Sequence, residues 1–302
     1  MPHISHEDIS LQMIAHIGND IGVDFEGCMA IFHDSYHKHF LHQLVSSQLD
    51  MDRLDYLKRD SYYTGVSEGV LGTDRLIQML NVVDDHIVIE EKGIYSVEKF
   101  LVARRLMYWQ VYLHKTVVAA EQMLRNILRL AKQVWHSHNI GQSYMNPSLA
   151  YFLTEDRTMD SPSFLEHYTN LDDYDIYHAL KIWAKGQHKA LAILSQQLLD
   201  RQLPKTEIQN TPFAAETIDI LQEKTAKLHH ISKSDAAFFV FTDQATNRAY
   251  NQDINNIFIK QKGSKHLIDI AAASDNLNIQ SLSAPVKKYF LCYPKGVTIS
   301  DG

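Results

Sequence analysis

A short, strongly charged segment with leucines at helical spacing constrains the fold of this chain more than any other feature. Seven of the twelve residues from 49 to 60 are charged. At about 3.6 residues per turn, Asp52, Tyr56 and Asp60 lie along one face of a helix. Such a face, with arginines on its flanks, can hold a cation and a polyphosphate together. The alternative is a solvated face with ion pairs between neighbouring turns, the usual outcome for a run of charges.

The composition is that of an ordinary globular protein. The 302 residues are 45% hydrophobic and 22% charged, with a net charge of −7, and they suffice for one large core or two domains. No basic tract indicates nucleic-acid binding, and no apolar run approaches the roughly 18 residues of a membrane span. Two cysteines, Cys28 and Cys292, are too few for a disulfide framework. Together with the lack of a signal-peptide core, they lead us to expect a cytoplasmic protein.

The order of hydrophobic patterns predicts a mainly α protein with a small α+β end. Helices are expected over residues 9–14, from 47 onward, and over 74–80, 97–136, 146–153, 172–199 and 214–228. Strands are expected in a hairpin of 83–91 with 94–96, at 236–242, in a hairpin of 257–259 with 266–270, and at 289–293. Pro204 marks the predicted boundary between a helical domain, residues 1–204, and an α+β subdomain, residues 205–302.

The charged segment also carries a resemblance to a known family. Residues 47–60, with the pattern Asp-x-x-Asp-Tyr-x-x-Arg-Asp, resemble the HD-domain deoxynucleoside triphosphate (dNTP) triphosphohydrolases, relatives of bacterial dGTPase and of the mammalian dNTPase with SAM and HD domains. Residues 6–10 resemble the family's His-Glu helix, and residues 104–115 its phosphate-contacting helix. Residues 288–295 resemble the bacterial branch. The resemblance covers essentially the whole chain and implies an HD-domain-like helical core with small β-hairpins.

The resemblance implies roles for particular residues. Asp52 would be a metal ligand, and His6 the catalytic acid, positioned by Glu7. Tyr56 would stack near the sugar and Asp60 would accept a hydrogen bond from the 3′-hydroxyl. The 2′ position would be crowded by Tyr112, and triphosphate oxygens would be held by Arg53, Arg104 and Lys115. The alternatives are core aromatic residues with satisfied hydroxyls and solvent-facing helix charges.

The chain departs from the family at the metal site. The family takes a His from an early helix, then a His-Asp pair, then a distant Asp, and here only the last, Asp52, has a counterpart. The expected divalent cofactor (Mg²⁺, Mn²⁺, Fe²⁺ or Zn²⁺) would thus have an incomplete site. Either the N-terminal segment is missing, which the intact sugar and phosphate positions favour, or catalysis has been lost. His33-Asp34, with His37 nearby, imitates the pair but lies out of order, in a predicted surface turn.

The function expected from this resemblance is metal-dependent hydrolysis of dNTPs, with dGTP the first candidate, to deoxynucleoside and triphosphate. The metal would activate water and polarise the α-phosphate. The chain as given is expected to be inactive for want of metal ligands, and to form a homo-oligomer. The alternatives are a non-catalytic nucleotide-binding or regulatory protein, an HD phosphohydrolase acting on another phosphoester, and a helical assembly protein.

Overall fold

Fourteen α-helices and seven short strands make up the part of the chain that the computed structural model describes, residues 4–251, 256–264, 266–275 and 284–299. The helices are α1 (His6–Ile21), α2 (Glu26–Phe32), α3 (His39–Val45), α4 (Met51–Thr64), α5 (Thr73–Gln78), α6 (Ile94–Met107), α7 (Lys115–Val134), α8 (Pro147–Thr154), α9 (Phe164–Thr169), α10 (Asp173–Trp183), α11 (Lys189–Leu199), α12 (Ala215–His229), α13 (Lys233–Ala236) and α14 (Ile270–Ala273). The strands are β1 (Leu80–Val83), β2 (His86–Glu90), β3 (Lys205–Gln209), β4 (Phe241–Asn247), β5 (Phe258–Lys260), β6 (Leu267–Asp269) and β7 (Val286–Tyr293). The prediction of a mainly helical fold with small β parts is confirmed.

The chain divides into two compact units, each assembled from separate stretches of sequence. Unit 1 comprises Met1–Gln12, Lys115–Ala245 and Lys288–Gly302, and unit 2 comprises Met13–His114 and Thr246–Lys287. Each unit has its own hydrophobic core. The predicted domains, 1–204 and 205–302, are continuous in sequence, whereas these units are not. The predicted domain boundary at residue 204 stays a prediction. None of the helices in the described residues combines the length and apolarity needed to cross a membrane.

Helix α4 in unit 2 is the predicted charged helix. It begins after Asp50, whose side chain caps the first turn, and ends at Gly65, which adopts the left-handed backbone (φ 71°) that glycine tolerates best. Leu54 and Leu57 are buried in the core of the unit, while Asp52 and Asp55 face solvent. The leucine spacing thus predicted the buried face of the helix correctly.

The predicted hairpin of residues 83–91 with 94–96 has its turn in the wrong place. β1 pairs antiparallel with β2 around Asp84 and Asp85, both at positive φ, and Ile94 begins helix α6. Aspartate tolerates the left-handed region because its short polar side chain bonds locally, and two such residues make a tight hairpin turn. The four-stranded sheet of unit 2 has the order β1-β2-β5-β6, with β2 parallel to β5.

The single helix predicted over 97–136 is interrupted. Helix α6 ends at Met107, one π-helical turn follows at Tyr108–Tyr112, and α7 begins at Lys115 in unit 1. In the π-helical turn, the backbone nitrogen of Leu113 donates to the carbonyl oxygen of Tyr108 at 2.6 Å, five residues back. This π-helical turn contains no glycine or proline that would have predicted an interruption. π-Helical turns occur often at functional sites.

Two further predictions, both for residues in unit 1, are wrong. The helix expected over 172–199 is split into α10 and α11 by a turn containing Gly186. The apolar run 236–242 is not one strand, because α13 occupies its start and Phe239 and Val240 are buried in a turn before β4. β3, which sequence analysis missed, pairs with β7 in a sheet of order β3-β7-β4. Helices α8 and α12, the β5–β6 hairpin and β7 lie where they were predicted.

Candidate functional site

The first turn of α4 holds an arginine in place through a buried carboxylate. Asp50, only 3% exposed, accepts hydrogen bonds from the backbone nitrogens of Ser47 (3.1 Å) and Arg53 (2.7 Å). Its Oδ2 also accepts from Arg53 Nε at 3.0 Å, and Nε reaches the Ser47 carbonyl at 2.8 Å. Burial acts to lower the pKa of Arg53, but the Asp50 carboxylate and the phenols of Tyr56 and Tyr108 together raise that pKa above its ordinary value. The guanidinium is therefore a fixed, permanent cation.

Three tyrosines and one carboxylate meet beside this arginine. Tyr112 donates its hydroxyl to Asp60 Oδ2 at 2.7 Å. The Tyr112 ring lies edge-on to Tyr56 (5.8 Å between centroids, 81°) and to Tyr108 (5.2 Å, 74°). Burial raises the pKa of Tyr112, helped by Asp60, and burial and Tyr108 raise the pKa of Tyr56 to about 12. Both phenols stay protonated near neutral pH and act as hydrogen-bond donors.

Arg104 of helix α6 brings a second guanidinium. Its Nε and Nη1 are buried, and neither has a hydrogen-bond partner among the described residues. The group lies over the Tyr108 ring at 5.9 Å from the centroid. Burial lowers the pKa of Arg104, and the like charge of Arg53 lowers it further. A partly buried cation with unmade hydrogen bonds is costly, so this environment favours an anionic ligand.

Both guanidiniums line one cavity of about 370 Å³ in unit 2. Its described lining contains no carboxylate and consists of Ser46, Ser47, Gln48, Arg53, Arg104, Tyr108, Thr246, Asn247, Arg248 and Asn251. The volume is at the lower end of the range of small-molecule pockets, about 300–1,000 Å³. The cavity therefore has the size and charge to receive a small polyanion.

The structure places six of the nine predicted site residues in unit 2: Asp52, Arg53, Tyr56, Asp60, Arg104 and Tyr112. Asp52 is exposed, and its carboxylate makes no ion pair with another described residue. His6 and Glu7 form the exposed first turn of α1, and Lys115 is the exposed first residue of α7, all three in unit 1. The roles assigned to these nine residues stay predictions.

The residues present do not by themselves fit a divalent metal. Within the described ranges, no three His, Cys, Asp or Glu side chains are grouped so that they could hold an ion. His33 and Asp34 lie in an exposed turn after α2, where Asp34 is at positive φ and is paired with the His39 imidazole. That pairing gives Asp34 a local structural role in the turn.

Sequence analysis missed the cavity wall formed by residues 246–251. Asn247 is buried, Arg248 is exposed, and both line the cavity together with the predicted arginines. No local pattern marks these residues, because they are held at the site by hydrogen bonds between the Gln48 side chain and the Asn251 backbone, 203 positions apart. Only a three-dimensional arrangement could have revealed them.

Known proteins share parts of this chain. Residues 71–145 match the family model described as "HD associated region". The uncharacterised protein YwfO of Bacillus subtilis is 32% identical over 208 residues, 67% of this chain and 46% of YwfO. A Dictyostelium discoideum protein named deoxynucleoside triphosphate triphosphohydrolase SAMHD1 homolog is 31% identical over 140 residues, 42% of this chain and 27% of that protein. The chain thus spans less than half the length of these curated relatives.

Solved structures match nearly the whole chain. The phosphohydrolase from Bacteroides thetaiotaomicron superposes with a TM-score of 0.89 at 44% identity, covering 97% of this chain and 73% of that one. A hypothetical protein from Aquifex aeolicus, at 23% identity and a TM-score of 0.57, shares the fold alone. This chain belongs to the HD-type phosphohydrolases. The predicted resemblance is confirmed at the level of that family.

Proposed function

We propose that this HD phosphohydrolase acts on deoxynucleoside triphosphates, releasing deoxynucleoside and triphosphate. The observation that carries the proposal is the 2.7 Å hydrogen bond from Tyr112 to Asp60 Oδ2. It fixes the carboxylate while Oδ1 has no hydrogen-bond partner among the described residues. A fixed, unoccupied acceptor of this kind suits a sugar hydroxyl, which is a hydrogen-bond donor.

The aromatic cluster supports selection of the sugar. Tyr56 and Tyr108 hold the Tyr112 ring edge-on from two directions. Edge-to-face pairs add about 0.5–1.5 kcal/mol beyond area burial, so the ring resists displacement. A ring that cannot move away would exclude a 2′-hydroxyl placed against it. Ribonucleotides should then bind more weakly than deoxyribonucleotides.

The arginines support recognition of phosphate. Arg53 is fixed by Asp50, Arg104 has unmade hydrogen bonds, and both line the cavity. A guanidinium presents a planar fork that matches phosphate oxygens in pairs. Neutral ligands with the same sugar would forgo these contacts, so binding should depend on the phosphates.

Equilibrium binding of dGTP, GTP and deoxyguanosine tests this proposal, alongside triphosphate release from dGTP with Mn²⁺ or Mg²⁺. We expect dGTP to bind at least about tenfold more tightly than GTP, a difference of about 1.4 kcal/mol. Asp60→Asn and Tyr112→Ala should each reduce that preference. Asp55→Asn is the matched control, because Asp55 lies on the same helix, is exposed and pairs with Arg59.

Four outcomes would contradict the proposal in different ways. Equal binding of dGTP and GTP would remove the assigned role of Tyr112. Equal effects of the Asp60 and Asp55 substitutions would remove that of Asp60. Binding of dGTP without triphosphate release, under every metal tried, would favour a non-catalytic nucleotide-binding function. Release of phosphate from other phosphoesters alone would favour a different substrate class.

A further inference from the structure

A second cavity lies wholly within unit 1, and the proposed function makes no use of it. It has a volume of about 360 Å³, near the lower end of the range for small-molecule pockets, about 300–1,000 Å³. Residues of α11 and α12 form its walls together with the rings of Phe239 and Phe241. Pro294 and Lys295, from the segment that resembles the bacterial branch, complete the lining. The cavity therefore has an aromatic wall and room for a small ring compound.

His229, the last residue of α12, leaves a hydrogen bond unmade in this cavity. Its Nε2 is buried and has no hydrogen-bond partner among the described residues. The imidazole stacks on the Phe239 ring, with 5.1 Å between centroids and 28° between planes. Burial lowers the pKa of His229 and the charge of Lys189 lowers it further, so the ring is neutral above about pH 6.5. Because a buried polar atom without a partner is costly, a ligand atom that completes this bond is favoured.

Two cations line the same cavity without a counter-ion in the described part of the chain. The side chains of Arg201 and Lys295 are both exposed, and neither makes an ion pair or a hydrogen bond with another described residue. The described lining contains no carboxylate. Unpaired cations beside an apolar wall favour a ligand that combines an apolar body with an anionic group.

The backbone restricts where these two charges can lie. Arg201 has a left-handed backbone conformation (φ 56°), uncommon for a residue with a side chain, and its nitrogen donates to the Leu198 carbonyl at 3.1 Å. Lys295 lies in a turn that is closed where the Val297 nitrogen donates to the Pro294 carbonyl at 3.0 Å. Both charges are thus placed at the cavity before a ligand arrives, which lowers the entropic cost of binding.

We infer that this cavity binds a heteroaromatic carboxylate, a planar ring that carries a hydrogen-bond acceptor and one carboxylate. The ring would lie against the aromatic wall, and its acceptor would take a hydrogen bond from the Nε2–H tautomer of His229. The carboxylate would face Arg201, whose planar fork matches two oxygens, while Lys295 would add a point charge. The inference goes beyond the proposed function and does not depend on it, because no residue of this cavity has a role in dNTP hydrolysis there.

Ligand-observed NMR titration of the 302-residue chain, without nucleotide or metal, tests the inference with three compounds of similar shape. Nicotinate has both the ring acceptor and the carboxylate, benzoate lacks the acceptor, and nicotinamide lacks the charge. We expect nicotinate to bind at least about threefold more tightly than either of the others, the scale of one partly exposed polar contact.

Two substitutions separate the contacts. His229→Phe keeps a ring against Phe239 but removes Nε2, so the preference for nicotinate over benzoate should disappear. Arg201→Asn removes the charge but keeps a residue that tolerates the left-handed backbone, so the preference for nicotinate over nicotinamide should shrink. Arg125→Asn is the matched control, because Arg125 is exposed in unit 1, pairs with Glu121 and does not line this cavity.

Each result has a distinct meaning. No binding of the three compounds, or equal binding of all three, would overturn the inference. Equal effects of Arg201→Asn and Arg125→Asn would assign the loss to general surface charge and would also overturn it. Nicotinate binding that depends on His229 and Arg201 would support the inference whether or not the chain hydrolyses dNTPs. Circular dichroism would confirm that each variant is folded, and the comparison of the three compounds on the unsubstituted chain stays decisive if one is not.

Discussion

Replacing Asp50 with alanine should destabilise unit 2 and release Arg53. Asp50 caps α4 through the backbone nitrogen of Arg53 and also holds the Arg53 side chain. Loss of an N-cap costs about 0.5–2 kcal/mol. Loss of the hydrogen bond to the charged Arg53 adds about 1–2 kcal/mol, reduced because that side chain is 28% exposed. The sum is about 1.5–4 kcal/mol of unfolding free energy.

Urea unfolding followed by circular dichroism measures this loss. A change in the urea midpoint reports stability when the dependence of the unfolding free energy on urea concentration is the same in both proteins. Asp50→Asn separates the two contributions, because asparagine caps helices as well as aspartate but carries no charge. It should lose about half as much. Asp55→Ala, which removes an exposed ion pair on the same helix, should cost under about 0.5 kcal/mol. An Asp50→Ala variant as stable as the Asp55 control would refute this account of the helix start.

Three further predictions concern the rest of the molecule. Burial lowers the pKa values of His188 and His229 in the folded state. The unfolded chain therefore binds protons more readily than the folded chain. The free energy of unfolding should be highest above about pH 6.5 and should fall as the pH drops below that value. A His188→Gln, His229→Gln double variant should show a shallower fall in urea midpoint from about pH 7.5 to 5.5. Ser195→Ala and Thr225→Val should each raise the free energy of unfolding by about 1 kcal/mol, because both hydroxyls are buried without a partner in the described chain. A higher melting temperature would report this gain. Gly93→Ala should destabilise by about 1–3 kcal/mol in urea unfolding, because a Cβ there would lie 2.5 Å from Ile89 Cγ2; no change would mean that Ile89 moves freely.

Local signals predicted the parts of the fold that depend on neighbouring residues. The leucine spacing around Leu57 indicated the buried face of α4. The short helix predicted over 146–153 is α8, where the Asn146 side chain accepts from the Ser148 backbone nitrogen. Both features act within one or two helical turns, so a single sequence contains the information. The Asp60–Tyr112 pairing was within reach of sequence analysis only through the family resemblance, since 52 residues separate the two.

Features that depend on distant contacts could not be predicted. The π-helical turn at Tyr108–Tyr112 has no breaker residue, and helical propensity continues through it. β3 has too few apolar residues to stand out until it pairs with β7. Arg248 carries no motif, and its place at the cavity follows from the Gln48–Asn251 bonds. In each case tertiary pairing overrides local preference.

The Gln48–Asn251 bonds join residues 203 positions apart. Ribosomes add roughly 5–20 residues each second, so roughly 10–40 s separate the synthesis of the two partners. During that interval the start of α4 has emerged without the wall that carries Arg248. The cavity lined by Arg53 and Arg104 is therefore among the last parts of unit 2 that can form, and nascent chains ending before residue 251 should lack it. Cotranslational quality control would meet the nascent protein before this wall of the cavity joins Arg53 and Arg104.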